Sequence, residues 1–170
     1  GADAFNVAVG NSAGKLMTSG IQNTIIGSLA GDALTTGSNN VALGYNALST
    51  EDAHGRNVAI GYAALNTLNA GQDAYNVAIG FSAGTNVSTG VQNTIIGGLA
   101  GDSLTTAIQN TAVGYAALST NIDGDNNTAL GFKALEDFEA DTDGHGNNTA
   151  VGASAMMNAS TGTENTALGN

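Results

Sequence analysis

The residues best suited to chemistry lie in EADTDGHGNN, Glu139 to Asn148. Glu139, Asp141 and Asp143 alternate ahead of Gly144, as carboxylates do in the first half of a calcium loop before its glycine turn. Hard oxygen ligands in that order suit Ca²⁺, and these three residues are the candidate metal site. The bidentate glutamate that closes an EF-hand loop is missing, and so is the GGxGxDxUx pattern of calcium-binding β-helices. A solvated acidic loop is therefore the competing reading. A second acidic stretch, IDGDNN from Ile122 to Asn127, resembles the first more weakly. No other cofactor is expected.

Catalytic chemistry has little to work with. The chain has two histidines, His54 and His145, and no cysteine. The repeat described below separates these histidines by about five coils, roughly 25 Å at the spacing of stacked strands. One chain cannot bring both into one site. Thiolate nucleophiles and thiolate metal sites are excluded, and no serine is expected in a Gly-x-Ser-x-Gly elbow. The chain reads as a protein without enzymatic activity.

Binding is the better prospect. Tyr45, Tyr62 and Phe81 recur at one repeat position, as do Tyr115 and Phe132. Such a column either stacks along the molecule as a structural ladder or presents a strip for sugar rings, and exposure of the rings discriminates the two. Two longer loops, 65–75 and 135–147, supply the candidate contact residues Asp73, Tyr75, Asp137, Phe138 and His145.

Composition narrows the class of partner. Among 170 residues there are 25 Gly, no Pro and no Trp, and the net charge is −11, with Lys15, Arg56 and Lys133 the only cations. Phosphate recognition needs clustered Lys and Arg, so nucleic acid is excluded as a partner, as is direct contact with an anionic membrane. No apolar run approaches the roughly 18 residues that span a bilayer. The absence of cysteine is compatible with an extracellular location, at a cell or virion surface. Large apolar side chains are scarce, so the core must be thin, with two backbone layers lying close together. The chain stops at TALGN, inside a repeat, which leads us to expect a piece of something longer.

The elements that position all of these residues follow from one repeat. Asn-[Thr/Val]-[Ala/Ile]-[Val/Ile/Leu]-Gly begins at Asn6, Asn23, Asn40, Asn57, Asn76, Asn93, Asn110, Asn127, Asn148 and Asn165. Seven of the nine spacings are 17 residues; the others are 19, from Asn57 to Asn76, and 21, from Asn127 to Asn148. A period of 17 is too short for helix pairs and suits one coil of a parallel β-solenoid. Two short strands per coil are expected, the first from Asn to Gly and the second in GYNALST, GYAALNT or GYAALST. Gly/Asn/Asp/Ser/Thr turns would close each coil. The Asn column should form a ladder, each amide bonding its neighbour or the adjacent turn, and the Gly column should supply a bend with positive φ. Ten coils would make a rod on the order of 45–50 Å long.

The strands carry no charge on either face in any copy. One face can pack inside the coil, and the other needs a second partner, which suggests self-association through the first-strand sheet. A higher period is also present: blocks of four coils run near 6–75 and 76–147, with a partial third at 148–170. NTIIGSLAGDALTT (Asn23–Thr36) and NTIIGGLAGDSLTT (Asn93–Thr106) are the second coil of each block. Their Ile replaces the usual Ala, and we expect compensating loss of bulk elsewhere in the coil, at Ser28 and Gly98, with Leu29 and Leu99 taking up part of it.

These tandem NVAIG and NTAVG copies resemble the NSVAIG-type repeats of YadA-like head domains in trimeric autotransporter adhesins, and related repeats of phage tail fibres and surface fibres. The resemblance covers essentially the whole chain, although the period here is longer and Thr or Val follows the Asn where that family has Ser. It implies a left-handed parallel β-roll that trimerises side by side and serves in attachment to a host-surface protein, matrix protein or glycan. A fibre spacer with no ligand of its own is the alternative. An ice-binding solenoid is a more distant one, because the Thr column is interrupted by Val7, Val41, Val58 and Val77.

Overall fold

The computed structural model describes residues 4–138 and 146–170. Ten three-residue strands follow one another: β1 (Val7–Val9), β2 (Thr24–Ile26), β3 (Val41–Leu43), β4 (Val58–Ile60), β5 (Val77–Ile79), β6 (Thr94–Ile96), β7 (Thr111–Val113), β8 (Thr128–Leu130), β9 (Thr149–Val151) and β10 (Thr166–Leu168). They form a single parallel sheet in strict chain order, and like motif positions sit opposite like positions at every pairing. The protein is an all-β parallel solenoid with one strand per coil.

Two columns flank the sheet and explain why Asn and Gly recur in every coil. At the entry to each strand, the Asn Oδ1 accepts the backbone N–H of the Asn in the next coil. All nine such bonds are present, at 2.8–3.1 Å. The amide nitrogen donates to a carbonyl in the closing turn of its own coil, as Asn76 does to Gly90 and Asn93 does to Ala107. In the two coils that carry extra residues that partner changes: Asn57 donates to Gly55 and Asn127 to the Asn110 side chain. From Asn23 to Asn148 the column is buried, where an amide left unpaired would be costly. At the exit from each strand, Gly10 to Gly152 hold φ between +130° and +142°. A Cβ there would lie 2.1–2.5 Å from the carbonyl oxygen of the next coil's glycine. No L-residue with a side chain fits.

The second half of the coil differs from the expected strand. After the glycine the backbone runs through consecutive turns with two residues in the left-handed region. In the third coil these are Asn46 (φ 60°) and Leu48 (φ 51°). The first donates its N–H to the preceding coil and the second to the following one: Asn46 to Ser28, and Leu48 to Ala64. Inter-coil bonding is thus retained without extended backbone. Left-handed Leu and Ala leave no trace in residue type, and GYNALST alternates as a strand would, which is why the segment reads as one.

Four inward positions make the core: the middle strand residue, the Ala seven residues after Asn, the next residue, and the one eleven after Asn. The third coil contributes Ala42, Ala47, Leu48 and Glu51, and the fourth Ala59, Ala64, Leu65 and Leu68, all buried. Ile25 and Ile95 are buried within the chain, and glycines of the same and the preceding coil make room for them: a Cβ on Gly14 would lie 3.4 Å from Ile25 Cδ1 and one on Gly84 2.9 Å from Ile95 Cδ1. A Cβ on Gly31 would lie 3.1 Å from Ile25 Cδ1, and one on Gly101 would lie 3.5 Å from Ile95 Cδ1. Where the strand residue is Ala, as in the third, fourth, seventh and eighth coils, Leu48, Leu65, Leu118 and Leu135 take that glycine's place. The first and fifth coils pair a strand Ala with Gly14 and Gly84, so the bulk of each Ile is offset across two neighbouring coils, while Leu29 and Leu99 stay half-buried at left-handed turn positions.

Among the described residues, nothing packs on the outward face of the sheet. Its first column is Val or Thr and its second only Val, Ile or Leu, with no charge and no Thr-x-Thr array. Val9, Ile26, Leu43, Leu130 and Leu168 are among its exposed side chains.

Candidate functional site

The structure places the expected contact residues in different settings. Loop 65–75 is fastened at both ends by buried Leu65, Leu68 and Ala74, and leaves Asn69, Gly71, Gln72, Asp73 and Tyr75 exposed. Asp73 forms an ion pair with Arg56 and accepts the Gly55 N–H at 3.2 Å. The Arg56 guanidinium lies 5.5 Å from the centroid of the Tyr75 ring, a cation–π distance. Asp73 and Tyr75 thus come together at one exposed corner. In the second long loop Asp137 is exposed, and its backbone N–H donates to Met157.

Phe138, expected as a contact, is 1% exposed and lies in the core. It stands eleven residues after Asn127, in the column of Leu34, Leu68, Val87 and Leu104. That register was readable from the sequence, and it outweighs the residue's place in a long loop. Glu139, Asp141, Asp143 and His145 lie outside the described residues.

A cluster that the sequence did not suggest sits in the third coil. Glu51, Asp52 and His54 bring metal-ligand-type atoms within 4.8 Å of one another. Glu51 is fully buried and already engaged: Oε1 accepts the His54 N–H at 3.2 Å and Oε2 the Ala70 N–H at 3.4 Å. Its carboxyl therefore pins the third coil to loop 65–75. Burial pushes its pKa above the usual glutamate value, against the lowering effect of those backbone donors and the nearby His54. His54 Nδ1 lies 3.6 Å from Oε1, beyond hydrogen-bond range, and has no other partner among the described residues. The available signal was a glutamate at a position that is otherwise mostly apolar.

Contrary to the expectation that no serine sits in such a motif, two pentapeptides, GNSAG (Gly10–Gly14) and GFSAG (Gly80–Gly84), have the Gly-x-Ser-x-Gly spacing of a hydrolase elbow. Both run from a strand into coil turns with no helix following, and no histidine lies in either coil. The spacing comes from the Gly and Ala columns of the solenoid and has no partner base.

The aromatic column combines both of its expected features. Tyr45, Tyr62 and Phe81 stack with ring centroids 5.4 and 5.1 Å apart, and Tyr115 and Phe132 at 5.8 Å. All five rings are also about half exposed. Because they lie within 16° of parallel, stacking occupies the faces between neighbours and leaves edges outward. Only the ends of each stack offer a free face.

Beside Tyr115 is an open hollow of ≈ 330 Å³, bordered by Leu99, Asp102, Ser119, Thr120, Lys133 and Glu136, among others. Lys133 Nζ donates to Glu136 at 2.8 Å, an interaction that raises the lysine pKa. Asp102 has one carboxylate oxygen buried without a partner, and burial raises its pKa. A larger hollow, ≈ 500 Å³, opens at the first coil between Asn6, Met17 and Gly20.

No helix among the described residues is long and apolar enough to cross a membrane. Comparison with protein-family models, with curated proteins and with solved structures gives no match in any of the three.

Proposed function

We propose that the chain is a head or shaft segment of a homotrimeric surface fibre. On this reading it mediates attachment to a cell surface, matrix protein or glycan. The observation that carries this is the outward sheet face: ten strands long, uncharged and without a partner among the described residues, in a protein of net charge −11. An uncharged face with an unbroken Val/Ile/Leu column of that length marks an interaction surface, and a second and third copy of the same face are its simplest complement. The resemblance of the NVAIG copies to YadA-like heads adds the trimer number, the left-handed roll and the extracellular location.

Three chains would present three copies of each loop and each aromatic column, so contacts that are weak singly combine into avidity. Loops 65–75 and 135–147 are the proposed contact regions, with Asp73, Tyr75 and Asp137 as surface residues. The firm attachment of loop 65–75 to the third coil through Glu51 and Arg56 equally suits a spacer that binds nothing. Cell-binding and glycan-binding assays with each loop shortened to the 17-residue spacing decide between them. Lost binding supports attachment through the loops, and unchanged binding removes them from the account.

A further inference from the structure

The third coil of each block ends in the same turn, and only one of the two turns carries metal-ligand chemistry. In the second block the turn reads Asn121, Ile122, Asp123, Gly124, and Asn121 closes it by accepting the Gly124 N–H. In the first block the same four positions are Glu51, Asp52, Ala53 and His54, and Glu51 Oε1 makes the equivalent bond to the His54 N–H. The turn therefore needs neither a charge nor an imidazole to fold. Yet three side chains able to ligate a cation meet there, with ligand atoms within 4.8 Å of one another.

Two further observations separate this cluster from a solvated acidic patch. One is an orphaned imidazole nitrogen. The His54 side chain is 32% exposed, but its Nδ1 is buried, lies 3.6 Å from Glu51 Oε1 and has no hydrogen-bond partner among the described residues. A direct hydrogen bond would draw the two atoms closer. Two donors on one tetrahedral Zn²⁺, at bonds of roughly 2.0–2.1 Å, stand about 3.3–3.4 Å apart. The other observation is the carboxyl itself. Glu51 is 0% exposed, and among the described residues no Lys or Arg pairs with it. Burial disfavours its charge and raises its pKa. Buried charges are held by pairing or by coordinating a metal. A dication at Oε1 would supply the countercharge and leave Oε2 on the Ala70 N–H.

The donor set selects the ion. Ca²⁺ and Mg²⁺ take shells of hard oxygens, whereas an imidazole nitrogen beside carboxylates suits Zn²⁺ and its first-row neighbours. Asp52 is exposed at the rim, where its carboxylate and a water can complete a four-coordinate shell. We infer that Glu51, Asp52 and His54 form a Zn²⁺-type site that ties the third-coil turn to loop 65–75 through the second oxygen of Glu51. Its role is structural, and it serves a spacer and an adhesin equally.

The test is isothermal titration calorimetry of the whole, untagged, EDTA-treated chain with ZnCl₂ at neutral pH. One equivalent of Zn²⁺ per chain should bind, and the melting temperature should rise with its concentration. Hydrogen exchange in loop 65–75 should slow on binding. Glu51→Asn and His54→Gly install the residues that the second block carries in its own folded turn, and each should abolish binding. Asp52→Ile, at an exposed position, should weaken it. Asp143→Asn and His145→Ala should leave it as it was. Failure of Zn²⁺ to bind would reduce Glu51 and His54 to a plain pair and overturn the site. Binding that survives His54→Gly, or that is lost in Asp143→Asn or His145→Ala, would place the ion elsewhere and overturn it too. Tighter binding of CaCl₂ than of ZnCl₂ would overturn the ion class, and unchanged exchange in the loop despite binding would overturn the tie.

Discussion

Glu51 and Asn121 occupy the same position in the third coil of successive blocks, eleven residues after Asn40 and Asn110. Both side chains are fully buried in a column otherwise filled mostly by apolar residues. Asn121 is self-sufficient: it accepts the Gly124 N–H at 3.0 Å and donates to the Gly124 carbonyl at 2.8 Å, closing its own turn. Glu51 spends one oxygen on its own turn and the other on Ala70 in the next coil's loop. The same backbone need is met once by a neutral local cap and once by a titratable group that reaches across coils. A duplicated block thus keeps its geometry at this position while its chemistry drifts.

The largest effect should come from what the blocks share. Gly61→Ala and Gly131→Ala each place a Cβ 2.1 or 2.3 Å from a carbonyl oxygen at φ near +140°. Each should cost about 4 kcal/mol or more in denaturant unfolding, and equally in both blocks. Next come the paired core leucines. Leu48→Ala and Leu118→Ala should each lose about 3 kcal/mol, and a marked inequality would show that the two blocks are packed differently.

Smaller, and specific to the first block, is a pH effect. The folded state holds the Glu51 proton more tightly than the unfolded chain, because burial raises its pKa above 4.5. Its contribution is therefore fully present below 4.5 and is lost as pH rises through the raised folded value. Stability of the natural chain relative to Glu51→Gln should fall across that window, measured by melting at a series of pH values. Asn121→Asp, which moves the charge into the second block, should create the same dependence there. A flat difference for Glu51→Gln would show that the carboxyl does not titrate with folding. The smallest effect is expected from Arg56→Ala, which breaks a half-exposed ion pair with Asp73. It should cost less than about 1 kcal/mol, while raising hydrogen exchange in loop 65–75.

Much of this arrangement is legible in the sequence because a stacked repeat forces like residues into contact. The Asn and Gly columns announce the ladder and the positive-φ bend, and uncharged strands announce an outward face that needs covering. Less visible is anything that depends on backbone handedness at ordinary residues. Leu48 and Leu118 carry no mark of the left-handed turn they occupy, so a turn segment passes for a strand. Phe138 reads as a loop contact until its register is counted from Asn127, and then it falls into the core. The exchange of Ile25 against Gly31 is missed for a related reason. The two lie on opposite walls of one coil, and only the folded core sets them against each other.

The account turns on the outward face of the sheet. Sedimentation equilibrium of the purified chain tests it most directly. A particle of three times the 16.7 kDa chain mass is predicted, dissociating when Ile79→Lys and Ile96→Lys put charge on that face. A stable 16.7 kDa monomer that stays dispersed across the concentration range would contradict it.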